Sequence, residues 1–359
     1  MKTANYTDKN MVAGNNPTEG ILWYEVNAKD MDLYGTAKGD GCSLTTRVPE
    51  DIAKNINNGV YNLRAFAAGV RLRFGTDSST IAIRAEYGDR LEPTCMSVCG
   101  IYGFDLYKCD DSGEETFVHT FRPSVDFDRQ ILANDPYRTK DNDLTYYTLN
   151  FPLFSEVKKL YVGIDTNSVL KRGIKYKNSL PVVFYGSSIT HGAAASRSGN
   201  TYESFISQKY NINYTNLGFA GAAKAEETMA NYLASLKMSV FVSDYDHNAK
   251  TPEYLEDTHY NLYKIIRQKN PDIPYVMISA PNFIHNPELL AKRRDIIKES
   301  YARAVANGDK NVYFIDGETL LKGEFEESCT IEGCHPNDIG FLRMSRIIGD
   351  KLNEIMNLK

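Results

Sequence analysis

The hydrophobic rhythm of the chain changes once, between about residues 175 and 180, and this change limits the available folds more than any other feature. Upstream, apolar and polar residues alternate with the period of a strand, and polar turn residues separate the runs. Val70, Leu72 and Phe74 share one face and Arg71 and Arg73 the other; Gly75, Thr76, Asp77 and Ser78 supply a turn; and 80–87 resumes the alternation with Ile81, Ile83 and Ala85 facing in. This reads as a hairpin. Further strands are expected over 103–109, 115–121, 145–151 and 159–164, which together predict an antiparallel, jelly-roll-like all-β sandwich.

Downstream, short apolar runs at 182–185, 212–217, 240–243, 275–278 and 312–315 alternate with amphipathic helical stretches. Met229, Tyr232, Leu233 and Leu236 recur at helical spacing, as do Leu255, Leu262, Ile265 and Ile266 behind Thr251 and Pro252 as cap and first-turn residue. Met344, Ile347, Ile348, Leu352 and Ile355 mark a final helix. Strand-helix repetition of this kind predicts an α/β unit: a five-stranded parallel sheet covered on both faces, with its ligand crevice at the carboxyl ends of the strands. A domain takes roughly 100 to 200 residues, so the 359-residue chain divides into a sandwich over 1–176 and an α/β domain over 177–359.

Composition excludes several functions. Lys and Arg total 41 against 46 Asp and Glu, a formal charge of -5, so there is no positive field to gather a nucleic-acid backbone. No apolar run approaches membrane-spanning length, and no membrane association is expected. The residues after Met1 and Lys2 are polar, without the apolar stretch of a secretory signal, and the expectation is a cytoplasmic protein with reduced thiols. Cysteines at 42, 95, 99, 109, 329 and 334 lack the paired spacing of a zinc site. The pairs Cys95 with Cys99 and Cys329 with Cys334 read as buried small hydrophobes in preference to a metal site or redox pair, and no metal or cofactor is expected.

Chemistry is to be sought in the loops after the parallel strands. The first is Gly186-Ser187-Ser188-Ile189-Thr190-His191-Gly192, which places a serine at the sheet edge and the start of the next helix, where amide groups and the helix dipole favour developing negative charge. The same residues would also make a plain strand-to-helix turn with a cap. The loop has neither the G-x-S-x-G elbow, because Thr190 stands in place of a glycine, nor a P-loop lysine. The second loop offers a backbone N–H at Gly221, the third a side-chain amide at Asn248, and the last an imidazole at His335 within Glu332-Gly333-Cys334-His335.

With these four blocks in order, the second half resembles the SGNH hydrolases, also called the GDSL esterase and lipase family, over roughly 180–359. The four letters map onto Ser188, Gly221, Asn248 and His335. The resemblance implies a three-layer, flavodoxin-like domain and a serine esterase in which His335 activates Ser188. It also implies an oxyanion hole made by the N–H groups of Ser188 and Gly221 and the Asn248 side chain. Gly103-Phe104-Asp105-Leu106-Tyr107 resembles a G-x-D-L-Y signature found in a sandwich that precedes some two-domain bacterial esterases of this kind. That likeness implies short acyl groups, mostly acetyl, on sugars or oligosaccharides, so a small-molecule or oligosaccharide ester is the expected partner.

The chain departs from the family pattern in places. Ser187 replaces the usual Asp of the first block, and Asp246 and His247 replace the usual Gly and Thr of the third. Glu332 stands where an Asp is usual, three residues before the histidine; either it orients His335 or the enzyme works as a Ser-His dyad with a backbone carbonyl. His191, Asp246 and Trp23 are candidate substrate contacts, His191 equally a plain helix-start residue and Trp23 equally a packing residue. His119, His259 and His285 have no motif partners and read as structural or solvent-facing. Three other readings compete: a lipase or lysophospholipase, a phosphoesterase using Asp244, Asp246 and His247 as hard-cation ligands, and a catalytically impaired carbohydrate-binding protein.

Overall fold

The computed structural model describes residues 20–27, 31–37, 42–124, 127–133, 136–281, 284 and 286–358; His285 lies outside these. Two antiparallel sheets form the first half. One holds β1 (Ile21–Glu25), β4 (Thr80–Arg90), β7 (Ile131–Ala133), β8 (Tyr137–Arg138) and β10 (Ser155–Asp165) in the order β1-β10-β4-β7, with β8 also on β4. The other holds β2 (Asp32–Tyr34), β3 (Arg71–Thr76), β5 (Phe104–Cys109), β6 (Glu115–Phe121), β9 (Thr145–Asn150) and β11 (Leu170–Arg172) in the order β11-β3-β9-β5-β6, with β2 also on β3. Three short helices, α1 (Glu50–Lys54), α2 (Asn58–Leu63) and α3 (Val98–Tyr102), fill the connections.

The expected hairpin over 70–87 does not form, because β3 and β4 belong to different sheets. Residues 77–79 instead carry the chain across the sandwich, held by the Asp165 carboxylate of β10, which accepts from Ser78 Oγ (3.0 Å), Ser79 Oγ (2.9 Å) and Thr80 N–H (3.1 Å). Alternation alone cannot separate the two outcomes. Leu72 and Phe74 on one strand and Ile81, Ile83 and Ala85 on the other are all buried in the same core, reached from opposite sheets.

The second half is a parallel sheet of β12 (Val182–Gly186), β13 (Tyr214–Gly218), β14 (Val240–Asp244), β15 (Tyr275–Ile278) and β16 (Val312–Ile315) in the order β13-β12-β14-β15-β16. After the one-turn α4 (Ser188–His191), the helices α5 (Tyr202–Tyr210) and α9 (Asp338–Met356) pack together. The helices α6 (Glu227–Ser235), α7 (Pro252–Lys269) and α8 (Pro287–Ala306) pack in series, completing three layers. Thr251 caps α7 by accepting the Tyr254 N–H at 3.2 Å, with Pro252 in the first turn, as the sequence signals. Among the described residues no helix is long and apolar enough to cross a membrane.

The halves meet through buried arginines. Arg71 and Arg73, on the polar face of β3, are each 1% exposed because that face packs on the α/β half. Arg71 donates to Asn213 Oδ1 (2.9 Å) and Tyr214 O (3.1 Å), and Arg73 to Asn211 Oδ1 (2.8 Å) and Glu115 Oε1 (2.9 Å). Arg47 donates to Gly218 O (2.8 Å), Asn216 O (3.2 Å) and Leu63 O (2.9 Å); burial lowers its pKa to about 9.

Candidate active site

The carboxyl ends of three neighbouring strands are level, Gly186 of β12 standing beside Gly218 of β13 and Asp244 of β14. The loops that follow therefore start side by side. Gly186 has no room for a side chain: a Cβ there would meet Thr190 Oγ1 at 2.0 Å and Asp244 O at 2.5 Å. The tight turn it allows puts Ser188 at the first position of α4, where the Ser187 hydroxyl caps the turn by accepting the Ile189 N–H at 3.2 Å. The helix that the sequence leads one to expect is here a single turn of four residues. It offers N–H groups but too few aligned peptides for a macrodipole.

His335 comes from the loop after β16. That loop is closed by a bridge between Thr330 and Pro336 and by the Ile331 N–H donating to His335 O at 3.0 Å; Asn337 then caps α9 through Ile339 N–H (3.0 Å). The closure brings His335 Nε2 to 2.8 Å from Ser188 Oγ. On the far side of the ring, Glu332 Oε1 lies 2.5 Å from Nδ1 and accepts the His335 backbone N–H at 3.1 Å. Serine, imidazole and carboxylate thus form a continuous hydrogen-bonded chain, the arrangement that lets an imidazole take a hydroxyl proton while a carboxylate fixes its tautomer.

The two expected oxyanion donors lie on the second and third loops, after β13 and β14. Gly221 lies in a turn at φ +71°, which a side chain would strain, and the space where a Cβ would stand is open. The turn is tied to the third loop by the Ala223 N–H, which donates to Asn248 Oδ1 at 3.2 Å. This bond uses the oxygen of the amide and leaves Nδ2 as the donor.

Other residues singled out from sequence have the following surroundings. His191 is fully buried: its ring stacks on Phe154 (centroids 4.3 Å apart, 11° between planes), Nε2 bonds Leu153 O at 3.0 Å, and burial holds its pKa well below 6.5. The expectation that it contacts substrate is corrected to a packing role between the halves. Trp23 is half-buried on edge strand β1 with its ring against Gly163 of β10, on the face of that sheet turned away from the core residues Leu160, Val162 and Ile164. Asp246 is buried, with Oδ2 accepting the Ala280 N–H at 2.9 Å and Oδ1 unpartnered. Asp244 accepts from Thr190 Oγ1 at 3.1 Å, so Asp244, Asp246 and His247 do not gather as a ligand group among the described residues. His259 is buried against Tyr245, and burial lowers its pKa to about 3.

The sequence reading missed how the sandwich supports this site. Asp105, within Gly103–Tyr107, accepts from Gly199 N–H (2.7 Å) and Arg197 Nη1 (2.9 Å), and Arg197 also donates to Tyr107 OH (2.8 Å). The motif therefore clamps the segment that follows the nucleophile turn. Asp338, at the start of α9, accepts from Ser196 N–H (2.8 Å) and Asn200 Nδ2 (2.7 Å) and joins that segment to the histidine loop.

Known family models cover both halves of the chain. Residues 179–353 match the model of the GDSL-like lipase/acylhydrolase family, and residues 21–170 match the GxDLY domain, the N-terminus of SGNH hydrolase-type esterases. The chain belongs to the SGNH/GDSL hydrolases. As a member of that family it is a carboxylic ester hydrolase. No curated protein matches the chain as a relative. Among solved structures, a protein described as a GDSL-like lipase from Bacteroides ovatus is 28% identical, with TM-score 0.82 over 94% of this chain and 99% of that one. A salicylyl-acyltransferase from a tetracycline biosynthetic pathway is 18% identical (TM-score 0.74, 96% and 100% covered). An acetyl xylan esterase from the rumen bacterium Butyrivibrio proteoclasticus is 13% identical (TM-score 0.58, 94% and 99% covered). The last two likenesses are of fold.

Proposed function

We propose that the protein hydrolyses short-chain acyl esters, acetyl esters above all, on sugars or oligosaccharides. The observation that carries the catalytic part is the chain Ser188 Oγ, His335 Nε2, His335 Nδ1, Glu332 Oε1, with contacts of 2.8 Å and 2.5 Å. His335 takes the Ser188 proton as the hydroxyl oxygen attacks the ester carbonyl, and Glu332 stabilises the imidazolium that results. The N–H groups of Ser188 and Gly221 and the Asn248 amide hold the tetrahedral oxyanion. Collapse returns the proton from His335 to the departing sugar alkoxide and leaves an acyl-serine. Water, deprotonated by His335 in turn, releases the acid and restores Ser188. The sugar part of the reading draws on the likeness in fold to the acetyl xylan esterase and on the shared two-domain order.

The test is hydrolysis of p-nitrophenyl acetate and butyrate by the wild-type chain and Ser188→Ala, with chelator present throughout, followed by acetate release from acetylated xylo-oligosaccharides. Acetate turnover that vanishes in Ser188→Ala is expected. Turnover that survives the substitution overturns the nucleophile, and a preference for long acyl chains replaces the sugar reading with a lipase.

A further inference from the structure

Cys334 stands next to His335 in the same loop, and its thiol has no place in the catalytic scheme. The Cys329 sulfur turns away towards Leu321 O (3.9 Å), so Cys329 and Cys334 are not a pair. The Cys334 sulfur instead joins one atom each of Glu332 and His335, all three lying within 4.8 Å of one another. We infer that Glu332, Cys334 and His335 form a binding site for a thiophilic divalent cation, Zn²⁺ above all, whose occupancy switches the esterase off.

Thiolate, imidazole and carboxylate are the ligand types Zn²⁺ takes, with bonds of about 2.0 to 2.3 Å. Around a tetrahedral ion such bonds set ligand atoms roughly 3.5 Å apart, so binding has to draw together three atoms that now lie within 4.8 Å of one another. The loop that carries the three residues is already pinned by the Thr330–Pro336 bridge and by the Gly333 N–H donating to Thr330 Oγ1 at 3.1 Å, which lowers the entropy lost on binding. A second observation bears on the same cluster. The buried Asp246 carboxylate on the third loop keeps Oδ1 without a hydrogen-bond partner, and burial together with Glu332 and Asp246 raises the pKa of the Cys334 thiol, so the cation has to displace its proton. A thiolate and a carboxylate beside a neutral imidazole balance a dication, the thiol proton being released to solvent.

The inhibitory effect, which rests on the esterase reading of the same residues, follows from the ring. A cation shared with Glu332 takes the nitrogen facing it, Nδ1. The remaining ring proton then sits on Nε2, which faces Ser188 as a donor and cannot accept the hydroxyl proton. The metal would also draw the Glu332 carboxylate away from its orienting role.

Two readouts on the full chain test this separately from activity. Co²⁺ titrated into metal-free protein should develop a thiolate charge-transfer band in the near ultraviolet for the wild type and Cys95→Ser, and none for Cys334→Ser or Cys334→Ala. In the p-nitrophenyl acetate assay without chelator, Zn²⁺ should inhibit the wild type reversibly. Cys334→Ser should keep its turnover and need more than about tenfold more Zn²⁺ for the same inhibition, since even an outer partner of a metal ligand is worth about 10- to 100-fold in affinity. A band that survives Cys334→Ser, or equal Zn²⁺ sensitivity in the two proteins, overturns the site. If no ester is turned over at all, the esterase reading fails while the Co²⁺ titration still decides whether the cation binds.

Discussion

Removing the charge of Glu332 gives the sharpest test of the catalytic chain. In Glu332→Gln the side chain keeps its size and a carbonyl oxygen for His335 Nδ1, but it no longer offers a charge to the imidazolium. A hydrogen bond to a charged group contributes about 1.5 to 3 kcal/mol, and about 1.4 kcal/mol corresponds to a factor of ten in rate. The expected loss in kcat is therefore about 10- to 100-fold. A fully buried triad carboxylate elsewhere is worth about 10⁴, and the smaller figure here follows from exposure. The Glu332 side chain is 45% exposed and that of His335 25%, so water screens the pair and partly replaces the lost contact. The assay is steady-state hydrolysis of p-nitrophenyl acetate by wild type, Glu332→Gln and Glu332→Asp, the last drawing the carboxylate back by one methylene and expected to fall between. A loss below about threefold for Glu332→Gln would refute the reasoning and leave a Ser-His dyad, because the 2.5 Å contact would then have no energetic consequence in the transition state.

Asn248→Ala should lower kcat by about 10²- to 10³-fold with little change in KM, the usual cost of one lost oxyanion donor; steady-state kinetics on the same ester check it. His191→Ala should cost about 2 to 5 kcal/mol of folding stability, as truncation of a large core side chain does. Its folded fraction should keep normal kcat and KM, measured by denaturation and kinetics on one preparation, whereas a raised KM at unchanged stability would return His191 to the substrate pocket. Burial raises the Glu203 carboxyl from 4.5 to about 8, so the folded chain holds a proton that the unfolded chain gives up. Its contribution is complete below about pH 4.5 and is lost as pH rises through about 8. Glu203→Gln cannot ionise, so its stability relative to wild type should grow across that window in chemical denaturation; a constant difference would show Glu203 already charged in the fold.

The sequence makes both architectures legible because each half satisfies its own period. Ile81, Ile83 and Ala85 are buried as the alternation requires, although Ala82 between them is buried too, and Met344, Ile348 and Leu352 are buried as the helical spacing requires while Ile347 of the same stripe is exposed. Ser188 was legible for a different reason, its place at a strand end, and its pairing with His335 is met at 2.8 Å. What the pattern could not reveal was pairing and cover. The segment 77–79 reads as a turn whether the chain folds back within a sheet or crosses to the other one, and the choice falls to Asp165, far along the chain. Arg71 and Arg73 look like a solvent face, and only the docking of the α/β half buries them. His191 reads as a pocket residue for the same reason, since its neighbour Phe154 belongs to the other half.

The Arg47 contacts bear on how far a chain of this kind can be reshuffled. Its guanidinium holds the carbonyl oxygens of Asn216 and Gly218, at the end of the strand that runs directly into the Gly221 turn. An α/β half cut free, or fused to a foreign sandwich lacking an arginine at that place, would leave those carbonyls without that donor just ahead of the Gly221 turn. On this reading the front half is more than an exchangeable attachment, and recombination is expected to keep the Gly221 turn in place only when both halves travel together.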